Sequence, residues 1–240
     1  MTDERRQQLE AQLVADTTTD GGSPAPRIKA LCALATSELA VSGTGATVLS
    51  EFDDDGQSPR RGLIHATNAI SSGLEDLQLT VGEGPCLDTF STGGPVLIAE
   101  LQQASERWPA FTPAALDLGA VAVFSFPLQI GVVRLGSLDL YRDTDGSLSD
   151  AQLSDALIVA DLMTQAVIAE LEGHSTDDVS WLANPHAQIH QASGMVQVQL
   201  QTTTEAALLH LRAHAYSHEL SITEVARRVV ARELRFPAET

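Results

Sequence analysis

Apolar residues recur at helical spacing from Ile28 to Val41, at Ile28, Leu31, Cys32, Leu34, Ala35 and Leu39, which predicts an amphipathic helix. The pattern then shifts towards a two-residue period. Residues 46–52 and 62–69 read as strands joined by the polar loop Asp53–Pro59, and a short helix follows over 72–79. A Gly/Pro-rich stretch, Val81 to Cys86, precedes a short strand over 95–99. Residues 120–128 and 132–141 form the clearest strand pair, turning at Ile130-Gly131. In the second strand Val133, Leu135, Ser137 and Asp139 alternate with Gly136, Leu138 and Leu140. Ser149 and Gln152 have capping-box spacing, with Leu148 and Leu153 placed as a staple, so a long helix begins there and runs over 150–172. It is apolar around most of its circumference. Leu157, Ala160, Thr164, Val167 and Leu171 make one stripe; Ile158, Leu162, Met163 and Ile168 make another. One stripe covers the sheet, and the other predicts either a twin helix in a homodimer or burial in one large core.

After a polar linker over 173–183, residues 184–236 read as three short helices in tandem. Thr202 with Glu205, and Ser221 with Glu224, have capping-box spacing. Leu208, Leu211 and Ala215 share one stripe of the second helix; Ile222, Val225, Ala226, Val229 and Val230 point inward on the third, with Arg228, Arg232 and Arg235 outside. The first 25 residues read as a disordered polar leader. The expected fold class is therefore α+β: an antiparallel sheet with helices on one side and a pocket on the other, followed by an all-α three-helix bundle.

Charge separates the two parts. The chain of 240 residues carries a formal charge of −18, and residues 184–240 hold five Arg and five Glu, so the whole excess lies in 1–183. An acidic body repels nucleic acid, which leaves the helical tail as the stretch where such a partner is electrostatically permitted. The apolar fraction of 43% suits a packed core. The charged N-terminus is no signal peptide, and no apolar run reaches the ~18 residues of a membrane span, so a cytoplasmic protein is expected. Cys32 and Cys86 stand far apart without a CxxC, as in a reducing compartment.

The runs GEGPCLDTF (82–90), PVLIAEL (95–101), RWPAF (107–111), FPLQIG (126–131) and LGSLDLYR (135–142) resemble the GAF domains of actinobacterial sensor proteins, over about residues 26–172. The resemblance implies a small-molecule or redox sensor, often dimeric through its terminal helices, with an unidentified ligand. Trp108, Phe111, Phe124 and Phe126 are read either as the lining of that pocket or as core. Cys86 follows a flexible Gly-Glu-Gly-Pro loop, but Glu83 and Asp88 beside it oppose a thiolate, so it is read as closing a tight loop, and it is counted with the aromatic residues as a candidate for the pocket lining. No partner residues for catalysis accompany it, and no enzyme, cofactor or metal is expected. His65 reads as a structural histidine.

The tail resembles a second family. ASGMV (192–196), EAALLHLRAHAY (205–216) and VARRVV (225–230) resemble the ANTAR domain over about 184–236. That resemblance implies binding of RNA hairpins in nascent transcripts, which favours an antiterminator fold over a terminator with no covalent chemistry. Carried over by motif, Ala192, Gly194, Arg212, Ala215 and Tyr216 are the expected RNA contacts; Ser193 stands where the family usually has a basic residue. Arg228 and Arg232 are added on electrostatic grounds. His210, His214 and His218 repeat every four residues, as do His186 and His190; with no supporting ligands, a pH-sensitive RNA contact is favoured over a metal. Two rivals stay open: a DNA-binding helix-turn-helix regulator and a protein-interaction module.

Overall fold

Strands β1 (Gly43–Leu49), β2 (Arg61–Ala66), β3 (Val96–Ile98), β4 (Ala122–Ile130) and β5 (Val133–Arg142) form one antiparallel sheet in the order β2-β1-β5-β4-β3. The computed structural model describes residues 2–16, 25–49, 61–173, 184–218 and 220–237. The expected loop 53–59 and most of the linker 173–183 lie outside the described residues. Strand alternation decides what each face carries. Ala46, Phe124, Phe126, Leu128, Leu138 and Leu140 point to one face, where they pack against α2 (Pro26–Glu38) and α6 (Asp150–Gly173). Val123 and Tyr141 point to the other, towards α3 (Ala69–Val81) and α5 (Phe111–Asp117). Helix α4 (Pro85–Thr92) also lies on this second face. Helices thus cover both faces, where one helical face and one open pocket were expected. The strand pattern of 120–141 is polar enough on its second face to read as solvated, but α3 to α5 bury it.

The alternation fails at one place. Leu128 pairs with Gly136 and Gln129 with Arg134, so Leu135 is an extra residue in β5. The bulge turns Leu135 towards the face of Leu138 and Leu140, opposite to the side that simple alternation assigns it.

The leader also departs from expectation. Residues 2–16 form helix α1, with Leu9 and Leu13 buried in the α2–α6 core. Two apolar residues four apart make too narrow a stripe to stand out in a polar sequence. Arg5 bonds Asp155 at 3.0 and 2.8 Å and Glu38 at 2.6 Å, and Arg6 pairs with Asp161 at 2.6 Å. These pairs are partly exposed, so they orient α1 more than they stabilise it. Helix α1 therefore covers part of the α6 surface, for which a twin helix or burial in one core was expected. Leu157 and Leu171, the ends of the heptad stripe, stay exposed at 48% and 42%, whereas Ala160, Thr164 and Val167 are buried. Among the described residues α6 alone is long and apolar enough to cross a membrane, with mean hydropathy 1.2, and half of that window is buried. Packing between the sheet and α1 accounts for this composition. Its start is as expected: Ser149 N–H donates to Gln152 Oε1 at 2.9 Å and Gln152 N–H to Ser149 Oγ at 3.3 Å.

Helices α7 (Asn184–Leu200), α8 (Thr204–Ser217) and α9 (Ile222–Val230) form a separate bundle around Val196, Leu211, Ala215, Val225 and Val229. Ser221 caps α9 by accepting from the Glu224 N–H at 3.1 Å. The cap of α8 is Thr203, accepting from Ala206, one residue beyond the expected Thr202. Leu79 of α3 belongs to this core cluster and joins the bundle to the sheet domain.

Candidate functional site

Two places concentrate polar chemistry. The first is buried between the sheet and helices α3 and α4. Glu75 is 2% exposed and Cys86 0%; their ligating atoms and a carboxylate oxygen of Asp139 all lie within 4.8 Å of one another. Thr47 Oγ1 donates to Glu75 Oε2 at 3.0 Å, Gln78 Nε2 reaches the same oxygen at 3.4 Å, and Ser137 Oγ donates to Asp139 at 2.5 Å. The Cys86 N–H donates to Gln78 Oε1 at 2.8 Å, which ties the start of α4 to α3. Gly45 and Gly84 allow the approach: a Cβ on Gly45 would meet Glu75 at 3.1 Å and one on Gly84 would meet Gln78 at 2.6 Å. Ser125, paired with Asp139 across β4 and β5, has a fully buried hydroxyl with no hydrogen-bond partner among the described residues.

Sequence reasoning named Cys86 but placed the wrong acids beside it. Glu83 turns away and caps α5, accepting from the N–H groups of Ala110 at 2.6 Å and Phe111 at 2.9 Å. Asp88 turns to Arg107 at 2.7 Å and to the Trp108 indole at 3.2 Å. The acids that meet the thiol come from α3 and β5, distant in sequence, and only the fold brings them together. The four aromatic residues read as pocket lining or core do not come together. Trp108 and Phe111 stack edge-to-face at 5.8 Å on the α5 side, while Phe124 and Phe126 lie in the α2–α6 core across the sheet. Cys86 belongs to a third cluster with Leu49 and Phe90. All four aromatic rings are core.

Both thiols are fully buried, and burial, with the Glu75 charge second, pushes the Cys32 thiol well above its ordinary range. A thiol reagent in native buffer is therefore expected to label neither cysteine over an hour, and both once the chain is unfolded in guanidinium. Fast stoichiometric labelling of the native protein would show that Cys86 is reachable. His65 is half-buried, and burial, with Lys29 second, lowers its pKa, as for a neutral structural histidine.

The second place is the outer side of the bundle. Gln191, Gly194, Met195, Val198 and Gln199 of α7, with Val229, Arg232 and Arg235, line a groove of about 630 Å³. Its floor is apolar, and Val198 is 77% exposed. Arg232 lies past the end of α9 at φ 62°, and the chain turns there, so Arg232 and Arg235 leave the helix face on which the sequence pattern put them. Among the described residues neither side chain has an ion pair or hydrogen bond. The other arginines of the bundle are engaged. Arg227 and Arg228 both bind Glu224, at 2.8 and 2.7 Å, and their hydrogen bonds hold its carboxyl down to about 2. Arg212 Nε donates to the Leu79 carbonyl of α3 at 2.8 Å.

The expected RNA contacts therefore divide. Gly194 and Arg232 meet at the groove. Ala192 and Ala215 are fully buried in the bundle core. Ser193 is buried too, with its hydroxyl donating to the Ile189 carbonyl at 2.9 Å. Arg228 is held by Glu224, Arg212 is turned to α3, and Tyr216 stays 71% exposed one turn beyond it. Arg235 was not among the expected contacts; only its place in the run of Arg228 and Arg232 could have marked it. The α8 histidines pack locally: His214 and His218 stack at 4.0 Å, and His214 meets Phe236 at 5.5 Å. Burial, then His218 and Arg228, lower the His214 pKa. The side chain of His186 lies outside those described.

The fold of the sheet domain is similar to that of solved GAF domains. The chain is similar to the GAF domain of an Acinetobacter phosphoenolpyruvate-protein phosphotransferase, at 14% identity and a TM-score of 0.51, covering 74% of this chain and all of that one. It is also similar to CepR2 of Burkholderia cenocepacia, described as an N-acylhomoserine lactone dependent LuxR family transcription factor, at 15% identity and a TM-score of 0.52, covering 72% of this chain and 98% of that one. At these identities the likeness defines the fold. No protein-family model matches the chain, and no curated protein matches it.

Proposed function

We propose that the chain is a sensor-controlled transcription regulator whose C-terminal bundle binds RNA hairpins and promotes antitermination, as its ANTAR-like motifs imply. The observation that carries this reading is the pair Arg232 and Arg235. Both are cations without an ion pair among the described residues, at the rim of an apolar groove in a chain whose net charge is −18. Unpaired guanidinium groups suit phosphate, while Met195 and Val198 offer an apolar surface to an unstacked base and Gln191 and Gln199 line the same groove. The GAF-fold domain supplies the input. Its buried Glu75–Cys86–Asp139 cluster is part of the packed interior and carries no catalytic role in this reading. A second copy packing on the exposed ends of the α6 stripe remains part of the proposal.

Titration of a tandem-hairpin RNA and of duplex DNA, side by side at several salt concentrations, tests this. The expected result is tighter binding of the hairpin at every salt, because an apolar groove can accept an unpaired base and a duplex offers none. Equal or tighter binding of the duplex would favour the helix-turn-helix alternative.

A further inference from the structure

The sheet domain meets the bundle along the C-terminal half of α3, which packs on α8 and α9, and β2 adds a contact with α7. Helix α3 ends at Val81 with Gly82 in the left-handed region at φ 77°. Its last carbonyls have no partner within the helix, and the negative end of its dipole gathers there. Arg212 of α8 meets that end, with Nε donating to the Leu79 carbonyl at 2.8 Å and the guanidinium lying beside Gly82. The last two turns of α3 also hold α9. Thr80 Oγ1 accepts from the Ile222 N–H at 3.1 Å, the first residue of α9, and the Thr223 hydroxyl donates to Asp76. Leu79 is 2% exposed and its side chain belongs to the core of the bundle.

Arg212 and Tyr216 lie four residues apart on α8, so they form one patch. Tyr216 is exposed, whereas Arg212 is half-buried against α3. A ring of carbonyl oxygens at a helix C-terminus offers a guanidinium the same chemistry as a phosphate: acceptor oxygens and negative charge. Helix α3 also carries Glu75 and Gln78, which reach the buried cluster at Cys86. One rigid helix therefore touches both the sensor interior and the patch.

Resting on the RNA-binding reading, we propose that the last turn of α3 occupies Arg212 in place of an RNA phosphate, so that the docked form is the weaker RNA-binding form. The Gly194–Arg232–Arg235 groove stays accessible in it, and release of the bundle adds the Arg212–Tyr216 patch. A shift of α3 caused in the sensor interior would set the balance between the two forms.

The experiment uses the full chain and three variants: Leu79→Ala/Thr223→Val, Thr223→Val alone, and Arg212→Ala. Circular dichroism checks folding, amide hydrogen exchange reports release of α8 and α9 from α3, and a tandem-hairpin RNA is titrated at several salts. The double variant is expected to exchange faster in the last turn of α3 and to bind RNA about tenfold more tightly or better, because the competent fraction rises. Its salt slope steepens by about 0.7, the contribution of one further phosphate on a single strand. Arg212→Ala is expected to release the bundle equally without either gain. Thr223→Val gives an intermediate result and serves if the double variant does not fold. Release without a gain in affinity or slope would overturn the proposal, since Arg212 would then be a structural clamp alone. Unchanged exchange in all variants would overturn it too. Absence of RNA binding by the parent and every variant, with release still seen by exchange, would defeat the RNA-binding reading itself, and the competition with it.

Discussion

Gly136→Ala is expected to destabilise the chain more than any other single methyl addition, by about 3–5 kcal/mol. Gly136 sits at φ 159°, and a Cβ there would lie 1.9 Å from the Thr47 carbonyl oxygen and 2.9 Å from the Val48 Cα. The obstructing atoms are backbone of the neighbouring strand, so no side chain can swing aside. The register offers no escape either. Thr47 pairs with Ser137 and Val48 with Gly136, and Leu135 is already extruded as the bulge. Parting β1 from β5 would open the centre of the sheet and expose the cluster of Glu75, Cys86 and Asp139. Urea unfolding followed by fluorescence measures the effect. Gly131→Ala is the control: it has φ 58° in the β4–β5 turn, but nothing lies within 4 Å of the added methyl. It should cost about 1 kcal/mol, the strain of a left-handed backbone alone. Equal effects at the two positions would show that β1 and β5 are not held at the separation described.

The elements that carry a strong local period were legible in the sequence: α2, α3, α6, the β4–β5 pair and the three helices of the bundle. Their amphipathic patterns and caps report burial directly, as at Ser149–Gln152 and Ser221. What escaped had weak or misleading local signals. Helix α1 shows two leucines, and its packing depends on partners such as Asp155, 150 residues beyond Arg5. Helices α4 and α5 are 8 and 7 residues long, too short for a period to emerge, and their Gly/Pro borders read as loop. The site was legible only as residue types. Nothing local to Cys86 points to Glu75 or Asp139, because the sheet register brings them together. Likewise the motif run Arg228–Arg232–Arg235 looks like one helix face, but the helix stops at Val230 and the three arginines part company. The motif positions Ala192 and Ala215 turn out to be packing positions, where small size serves the bundle core.

Reversing Arg232 and Arg235 together to Glu should cost RNA affinity roughly 100-fold, since two charge-assisted contacts are worth about 3 kcal/mol. The salt slope should fall by about 1.4, two phosphates on a single strand. Both side chains are exposed and carry no bond among the described residues, so the thermal midpoint should move little. Arg228→Ala separates this groove from general electrostatics. Arg228 spends its guanidinium on Glu224 at 2.7 Å, and Arg227 holds the same carboxylate, so its loss removes little that RNA could use. A change of about twofold is expected there, the size of a weak exposed charge effect. Met195→Ala and Val198→Ala test the floor of the groove rather than its rim. They should weaken binding without changing the salt slope, because an apolar surface that stacks a base releases no counterions. If instead all substitutions of positive charge act alike and those on the floor do nothing, the bundle attracts RNA by charge only. The groove would then have no part in choosing an unpaired base.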